Sequence, residues 1–222
     1  KVLELMGFEK AADMEHIAFG MVSLEEGSMS TRSGRVVWLA EVLDKAVEKA
    51  RQIIEEKNPD QPDKDAVAES VGVGAVVFSA LWNNRIKDIV FSFDKVLNFD
   101  GETAPYVQYT HARCASALRK GGAFDLAAAD MSAIATEEGT DVVKCLLAFE
   151  DAVRLAAKTR EPCYVTRYAV ELAEKFNRFY IGHRIVSEDK GATNARLFLA
   201  HMVKNTLKTA LGLIGIAAPE TM

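Results

Sequence analysis

The sequence predicts a mainly α-helical fold in which a small β/α piece leads into a helical bundle. Three observations predict it. From Leu39 onward, apolar residues recur at helical spacing over most of the chain. Short runs of β-formers are confined to the stretch before Leu39 and to residues 89–105. Proline and glycine fall at the joints between these segments, at Pro59 and Pro62 and again at Gly121 and Gly122.

Taken in order, KVLELMG reads as a helix end stopped by Gly7 in a C-cap role. HIAFGMV, residues 16–22, is a short apolar run that fits a buried strand. A hydroxyl-rich loop follows, and residues 35–38 read as a second short strand. Leu39, Leu43, Ala46, Ala50 and Ile53 then fall on one face of a helix that must end before NPDQPD, because Pro59 and Pro62 cannot continue it. Asp65 is placed to cap the next helix, which runs through Val76 or beyond. Gly72 and Gly74 weaken that helix but allow another backbone to come close. Residues 89–105, punctuated by Pro105, form a connector expected to pack against the first part.

Residues 106–120 read as a helix with Val107, His111, Cys114 and Leu118 on its apolar face and Tyr106, Tyr109, Arg113 and Lys120 on another; Gly121 and Gly122 end it. Residues 124–138 are alanine-rich and fit no single state. Residues 141–158 read as one helix carrying Val142, Leu146, Phe149 and Val153. Pro162 suits the first turn of a helix that buries Val165, Ala169, Leu172, Phe176 and Phe179. A last long helix carries Leu199, Val203, Leu207, Ala210 and Ile214.

With 222 residues, 49% hydrophobic and 27% charged, the chain can bury a sizeable core, and disorder is not indicated. No apolar run near 18 residues stands out, so no membrane span is expected. A net charge of -5 argues against duplex-DNA binding by bulk electrostatics, while leaving room for a local basic face on folded RNA. Cys114, Cys145 and Cys163 are odd in number and widely spaced, which points to a reducing compartment and to neither disulfides nor a metal site. The chain opens at Lys1 with no signal-peptide pattern and is expected to be cut from a longer protein.

Two features carry chemistry. The loop GSMSTRSG, 27–34, combines flanking glycines, hydroxyls and the planar cation Arg32, a set that can hold polyphosphate. It has no GxxxxGKS/T pattern, and a solvated turn fits as well. Tyr106, Tyr109 and Arg113 lie at helical spacing, where aromatics can stack on unpaired bases and the arginine can meet phosphate; interhelical packing with a snorkelling arginine is the alternative. Tyr180 and Arg184 repeat the pairing on a later helix. His111 reads as a hydrogen-bonded core histidine, and Cys114 as inert core.

At this point four stretches carry a resemblance. GSMSTRSG, GETAPYVQYTHARCASALRK, ELAEKFNRFY and the terminal LGLIGIAAPETM, in that order, resemble the C-terminal part of arginyl-tRNA synthetases, which are class I aminoacyl-tRNA synthetases. YVQYTHAR and ALRK are the most specific of them. The resemblance implies the C-terminal end of a Rossmann-type α/β catalytic domain at 1–105, followed by an α-helical anticodon-binding domain at 106–222. It makes the loop the counterpart of the KMSKS signature, which closes over ATP and steadies pyrophosphate during adenylate formation. Met29, Ser30, Thr31 and Arg32 match its core. Fuller motifs carry lysines where this chain has Ser28 and Ser33, so that charge falls to Arg32, to Arg35 or to a residue outside the chain.

The resemblance also places Tyr106, Tyr109, Arg113, Tyr180 and Met222 near a tRNA anticodon loop. Arg184 stands where an aromatic is common. The implied reaction is ATP-dependent ligation of arginine to tRNA(Arg), with Mg2+ accompanying ATP, in a cytoplasmic monomer that engages neither DNA nor membrane. HIGH, the other class I signature, is absent from these residues, as are the arginine pocket and the tRNA-elbow domain. The 222 residues are therefore expected neither to aminoacylate nor to hold ATP by themselves. The rival readings are a stand-alone helical RNA-binding module and a plain helical interaction protein.

Overall fold

Helix α1 (Val2–Leu5) ends where Gly7 takes a positive φ of 80° and its N–H returns to Glu4 O, the stop that the sequence signals. This computed structural model describes residues 1–24 and 38–222. The strand expected at 16–22 lies further on. β1 (Val22–Leu24) pairs in parallel with β2 (Ile89–Phe91), Val22 opposite Ile89 and Leu24 opposite Phe91. Apolarity marks a run for burial, but a strand also needs a ladder partner, and β2 reaches only to Val22. Upstream, Gly20 N–H donates to Arg85 O and Met21 N–H to Asp88 Oδ1, and Phe19 and Met21 stay exposed. Of the second expected strand, 35–37 lie outside the described residues; Trp38 is the exposed N-cap of the next helix instead.

Helix α2 (Leu39–Lys57) ends at Asn58, just ahead of Pro59. Its buried line is Ala46, Ala50 and Ile54, with Leu39 exposed and Ile53 half-buried, a small rotation from the expected face. Helix α3 (Lys64–Trp82) begins after Asp63, which sits at φ 51° as N-cap. Asp65 is not the cap; it lies in the first turn, 3.2 Å from Arg51 Nε. The close approach expected at Gly72 is real: a Cβ there would stand 2.6 Å from Val47 Cα on α2. Contrary to the sequence expectation, α3 is long and apolar enough to cross a membrane by length and composition. Its buried residues, among them Val67, Val71, Ala75 and Phe78, make it a core helix between α2 and the bundle.

The connector holds β2 and helix α4 (Phe93–Val96), and it packs on the first part as expected: Phe91, Val96 and Leu97 close a small core with Ala50, Ile54, Val67 and Val71. Helix α5 (Ala104–Gly121) carries Pro105 in its first turn and is capped by Thr103, whose Oγ1 accepts from Tyr106 N–H. Part of 124–138 is a single turn of 3₁₀ helix at Met131–Ile134.

The one helix expected over 141–158 is two. Helix α6 (Glu137–Leu147) starts earlier because Thr136 Oγ1 caps it through Gly139 N–H at 3.2 Å. Helix α7 (Phe149–Thr159) follows after Ala148, where the Tyr168 hydroxyl takes the Cys145 carbonyl at 3.0 Å. The apolar spacing Val142, Leu146, Phe149 runs through the break, so periodicity does not reveal it.

Helix α8 (Cys163–Gly182) and helix α9 (Lys190–Leu213) carry the expected buried faces, with Leu172, Phe176, Phe179, Val203, Leu207 and Ala210 fully buried. However, α8 ends before Arg184 and α9 before Ile214, so the expected Tyr180–Arg184 pairing on one helix does not form, and the Tyr180 ring takes Arg113 as its cation instead. Together with α5 they enclose the main core, where each Leu or Phe contributes about 1.5–3 kcal/mol by leaving water.

Candidate nucleic-acid interface

Helices α5 and α8 lie side by side, and their exposed edges bring the tyrosines and arginines of the sequence together. Tyr109 on α5 is 41% exposed. The Arg113 guanidinium, one turn further, lies 4.8 Å from the centre of the Tyr109 ring and 5.0 Å from that of Tyr180 on α8. Arg113 Nη1 donates to Asn177 Oδ1 at 2.5 Å. Asn177 Nδ2 donates to Thr110 Oγ1 at 2.9 Å, and that hydroxyl donates to Tyr106 O at 3.0 Å. A buried polar relay thus fixes a cation between two aromatic faces. Tyr106 is half-buried against the main core.

Two hollows that share Ile181 lie along these edges, and Arg113 lines the larger. One, of about 620 Å³, is lined by Lys57, Phe99, Tyr106, Tyr109 and Met222. The other, about 540 Å³, is lined by Lys120, Tyr180, Ile181 and Arg184. All six residues singled out in the bundle, Tyr106, Tyr109, Arg113, Tyr180, Arg184 and Met222, therefore border one continuous surface. The cations Lys57, Arg113, Lys120 and Arg184 make it locally basic on a chain of net charge -5. Exposed aromatics beside cations suit unstacked bases and their phosphates.

Sequence reasoning missed Asn177, Lys57 and Phe99. Asn177 carries a faint signal as a polar residue on the buried face of α8. Lys57 ends α2, and its ammonium sits 5.1 Å above the Phe99 ring, a pairing created by tertiary contact alone. Met29, Ser30, Thr31 and Arg32 lie outside the described residues, as do Ser28, Ser33 and Arg35. β1 ends just before that loop and α2 begins just after it.

His111 is fully buried, and its Nδ1 meets Pro219 O at 2.8 Å, the hydrogen-bonded core histidine that the sequence predicts. Burial pushes the thiols of Cys114 and Cys163 up and that of Cys145 up to about 11, so none is a nucleophile at neutral pH. Among the described residues, no group of His, Cys, Asp and Glu could hold a metal ion.

Comparison with known proteins bears on the same regions. The family described as DALR anticodon binding domain matches residues 107–222, and the class I (R) tRNA synthetase catalytic domain matches 1–93. Arginine–tRNA ligases of Halothermothrix orenii and Clostridioides difficile are 49% and 48% identical over this whole chain, which spans 39% of the length of each. The arginyl-tRNA synthetase of Thermus thermophilus superposes with a TM-score of 0.89 at 38% identity, over 99% of this chain and 38% of that one. The chain belongs to the DALR anticodon-binding-domain family, and along its whole length it is similar to the C-terminal portion of arginyl-tRNA synthetases.

Proposed function

We propose that this chain forms the loop-bearing end of the catalytic domain (1–105) and the anticodon-binding domain (106–222) of an arginine–tRNA ligase. The whole enzyme condenses arginine with ATP, releasing pyrophosphate, and then transfers the arginyl group to tRNA(Arg). In such chemistry the protein positions the reactants and stabilises charge on the transferred phosphates. Met29, Ser30, Thr31 and Arg32 would lie along the ATP phosphates, with Mg2+ arriving on ATP. The exposed Phe19, Met21 and Trp38 would be covered by the remainder of the catalytic domain. The enzyme works as a cytoplasmic monomer, with no DNA or membrane partner.

The observation that carries the anticodon reading is Arg113 seated between Tyr109 and Tyr180, beside an open hollow that Tyr106 and Met222 also line. On this reading Tyr106, Tyr109 and Tyr180 stack on anticodon-loop bases, Arg113 and Arg184 meet phosphates, and Met222 closes one side. Removing a stacking ring costs about 1–3 kcal/mol. Tyr109→Ala is therefore expected to weaken binding of tRNA(Arg) by roughly 5- to 150-fold. Binding unchanged in both Tyr109→Ala and Tyr180→Ala would show that the rings only pack.

A further inference from the structure

Residues 215–222 do not trail into solvent; they run as a strap over α5. Gly215, at φ 75°, reverses the chain after α9, and Ile216 N–H bonds back to Leu211 O at 2.9 Å. Ile216 is buried where Gly74 of α3 leaves space: a Cβ on Gly74 would stand 3.1 Å from Ile216 Cγ2. From there α5 takes the strap's carbonyls in turn. Gln108 Nε2 donates to Ala217 O at 2.8 Å, His111 Nδ1 to Pro219 O at 2.8 Å, and Arg119 Nη1 to Glu220 O at 3.1 Å. Lys204 pairs with the Glu220 carboxylate at 2.7 Å, and Gln61 Nε2 donates to Thr221 Oγ1 at 2.9 Å. Met222 then packs on the small core and lines the larger hollow beside Tyr109 and Arg113.

Gln108 and His111 are both fully buried, on a helix face that otherwise takes Val107, Cys114 and Ala115. Burying an amide and an imidazole costs desolvation, and Gln108 Oε1 and His111 Nε2 have no hydrogen-bond partner among the described residues. Apolar side chains would fill the space at lower cost. The polar pair does supply register. The carbonyls of Ala217 and Pro219, two residues apart on the strap, both face α5, and the donors at 108 and 111 lie one helical turn apart. A slip of one residue would turn both carbonyls off their donors and carry Met222 out of the hollow.

We propose that Gln108 and His111 are positioning residues for the nucleic-acid surface: they lock the register of the strap and so hold Met222 as a wall of the groove. This rests on the anticodon reading above.

The test is a double-mutant cycle on the 222-residue chain, read as the affinity for a tRNA(Arg) transcript. His111→Phe is expected to weaken binding about tenfold, the worth of one lost hydrogen bond of this kind. His111→Asn, which keeps a donor near the Nδ1 position, restores most of it. Removing residues 219–222 costs about as much, and His111→Phe adds nothing to that deletion. Deuterium uptake over 215–222 rises in His111→Phe and not in His111→Asn. If His111→Phe fails to fold, Gln108→Leu enters the same cycle in its place. Equal losses in the intact and deleted chains would overturn the proposal, since the effect would then pass through the core. Unchanged affinity in the variants would overturn it as well. An unsubstituted chain that binds no better to the native anticodon than to altered ones overturns the anticodon reading itself, and the positioning role with it.

Discussion

Arg113 shows what a single side chain can and cannot announce. The sequence gives its spacing from Tyr109, and the structure keeps that pairing at 4.8 Å. The second ring, Tyr180, and the Asn177 amide that orients the guanidinium come from α8, far along the chain. Helical periodicity reports neighbours within a helix, so Tyr109 with Arg113 was legible, and Tyr180 was legible as a candidate, but not that Tyr180 and Arg113 meet.

His111 carries the pH prediction. Burial lowers its pKa, with Lys204 and Lys208 of α9 acting in the same sense, while the Pro219 carbonyl and Glu220 on the strap pull upward. The net shift is below the ordinary 6.5, so the folded state holds this ring neutral. The unfolded chain takes up the proton first as pH falls. Stability from His111 is thus fully present above about pH 6.5 and declines below it, until the folded-state pKa is reached. Urea unfolding from pH 8 to pH 5 should show the chain losing stability on the acid side relative to His111→Asn. A constant difference would contradict the assignment.

Among elements, α2 and α3 pack backbone to backbone at Gly72, and the sequence does give the reason: small residues in an apolar helix permit a neighbour. The neighbour is Val47 main chain, which cannot rotate away. Gly72→Ala is expected to destabilise the chain by about 1–3 kcal/mol despite alanine's better helix propensity. A thermal or urea midpoint equal to or above that of the unsubstituted chain would contradict this packing.

The elements misread share a cause. Apolarity alone suggests a strand at 16–22, but the ladder is set by β2, which lies far along the chain. The break at Ala148 preserves the apolar spacing on both sides, and a Tyr168 hydroxyl from another helix marks it. The helices α5, α8 and α9 were legible because each carries its own signals: proline or a cap at the start, glycine near the end of α5 and α8 and just beyond α9, and a continuous apolar stripe.

At the scale of the molecule, the loop-bearing part and the bundle are tied at several places among the described residues. Helix α3 is buried against both. The strap reaches from α9 across α5 to Gln61. Arg85 donates through Nη1 to Ala18 O at 2.9 Å and through Nε to Arg160 O at 3.2 Å, while its N–H donates to the Glu161 carboxylate at 3.0 Å. Such ties hold the aromatic–basic surface at a fixed place relative to β1 and α2, between which the MSTR loop lies in sequence. The 222 residues by themselves are expected to show no arginine-dependent ATP–pyrophosphate exchange, because HIGH is absent from them. Measurable exchange would contradict that.

The central claim is that the surface around Arg113 reads an anticodon. The most direct measurement is the affinity of the chain for tRNA(Arg) transcripts with native and altered anticodons, over a salt series. The account predicts tighter binding to the native anticodon, a discrimination that survives added salt because stacking carries it, and its loss in Tyr109→Ala. Equal affinity for every transcript at all salt concentrations, unaffected by that substitution, would contradict it.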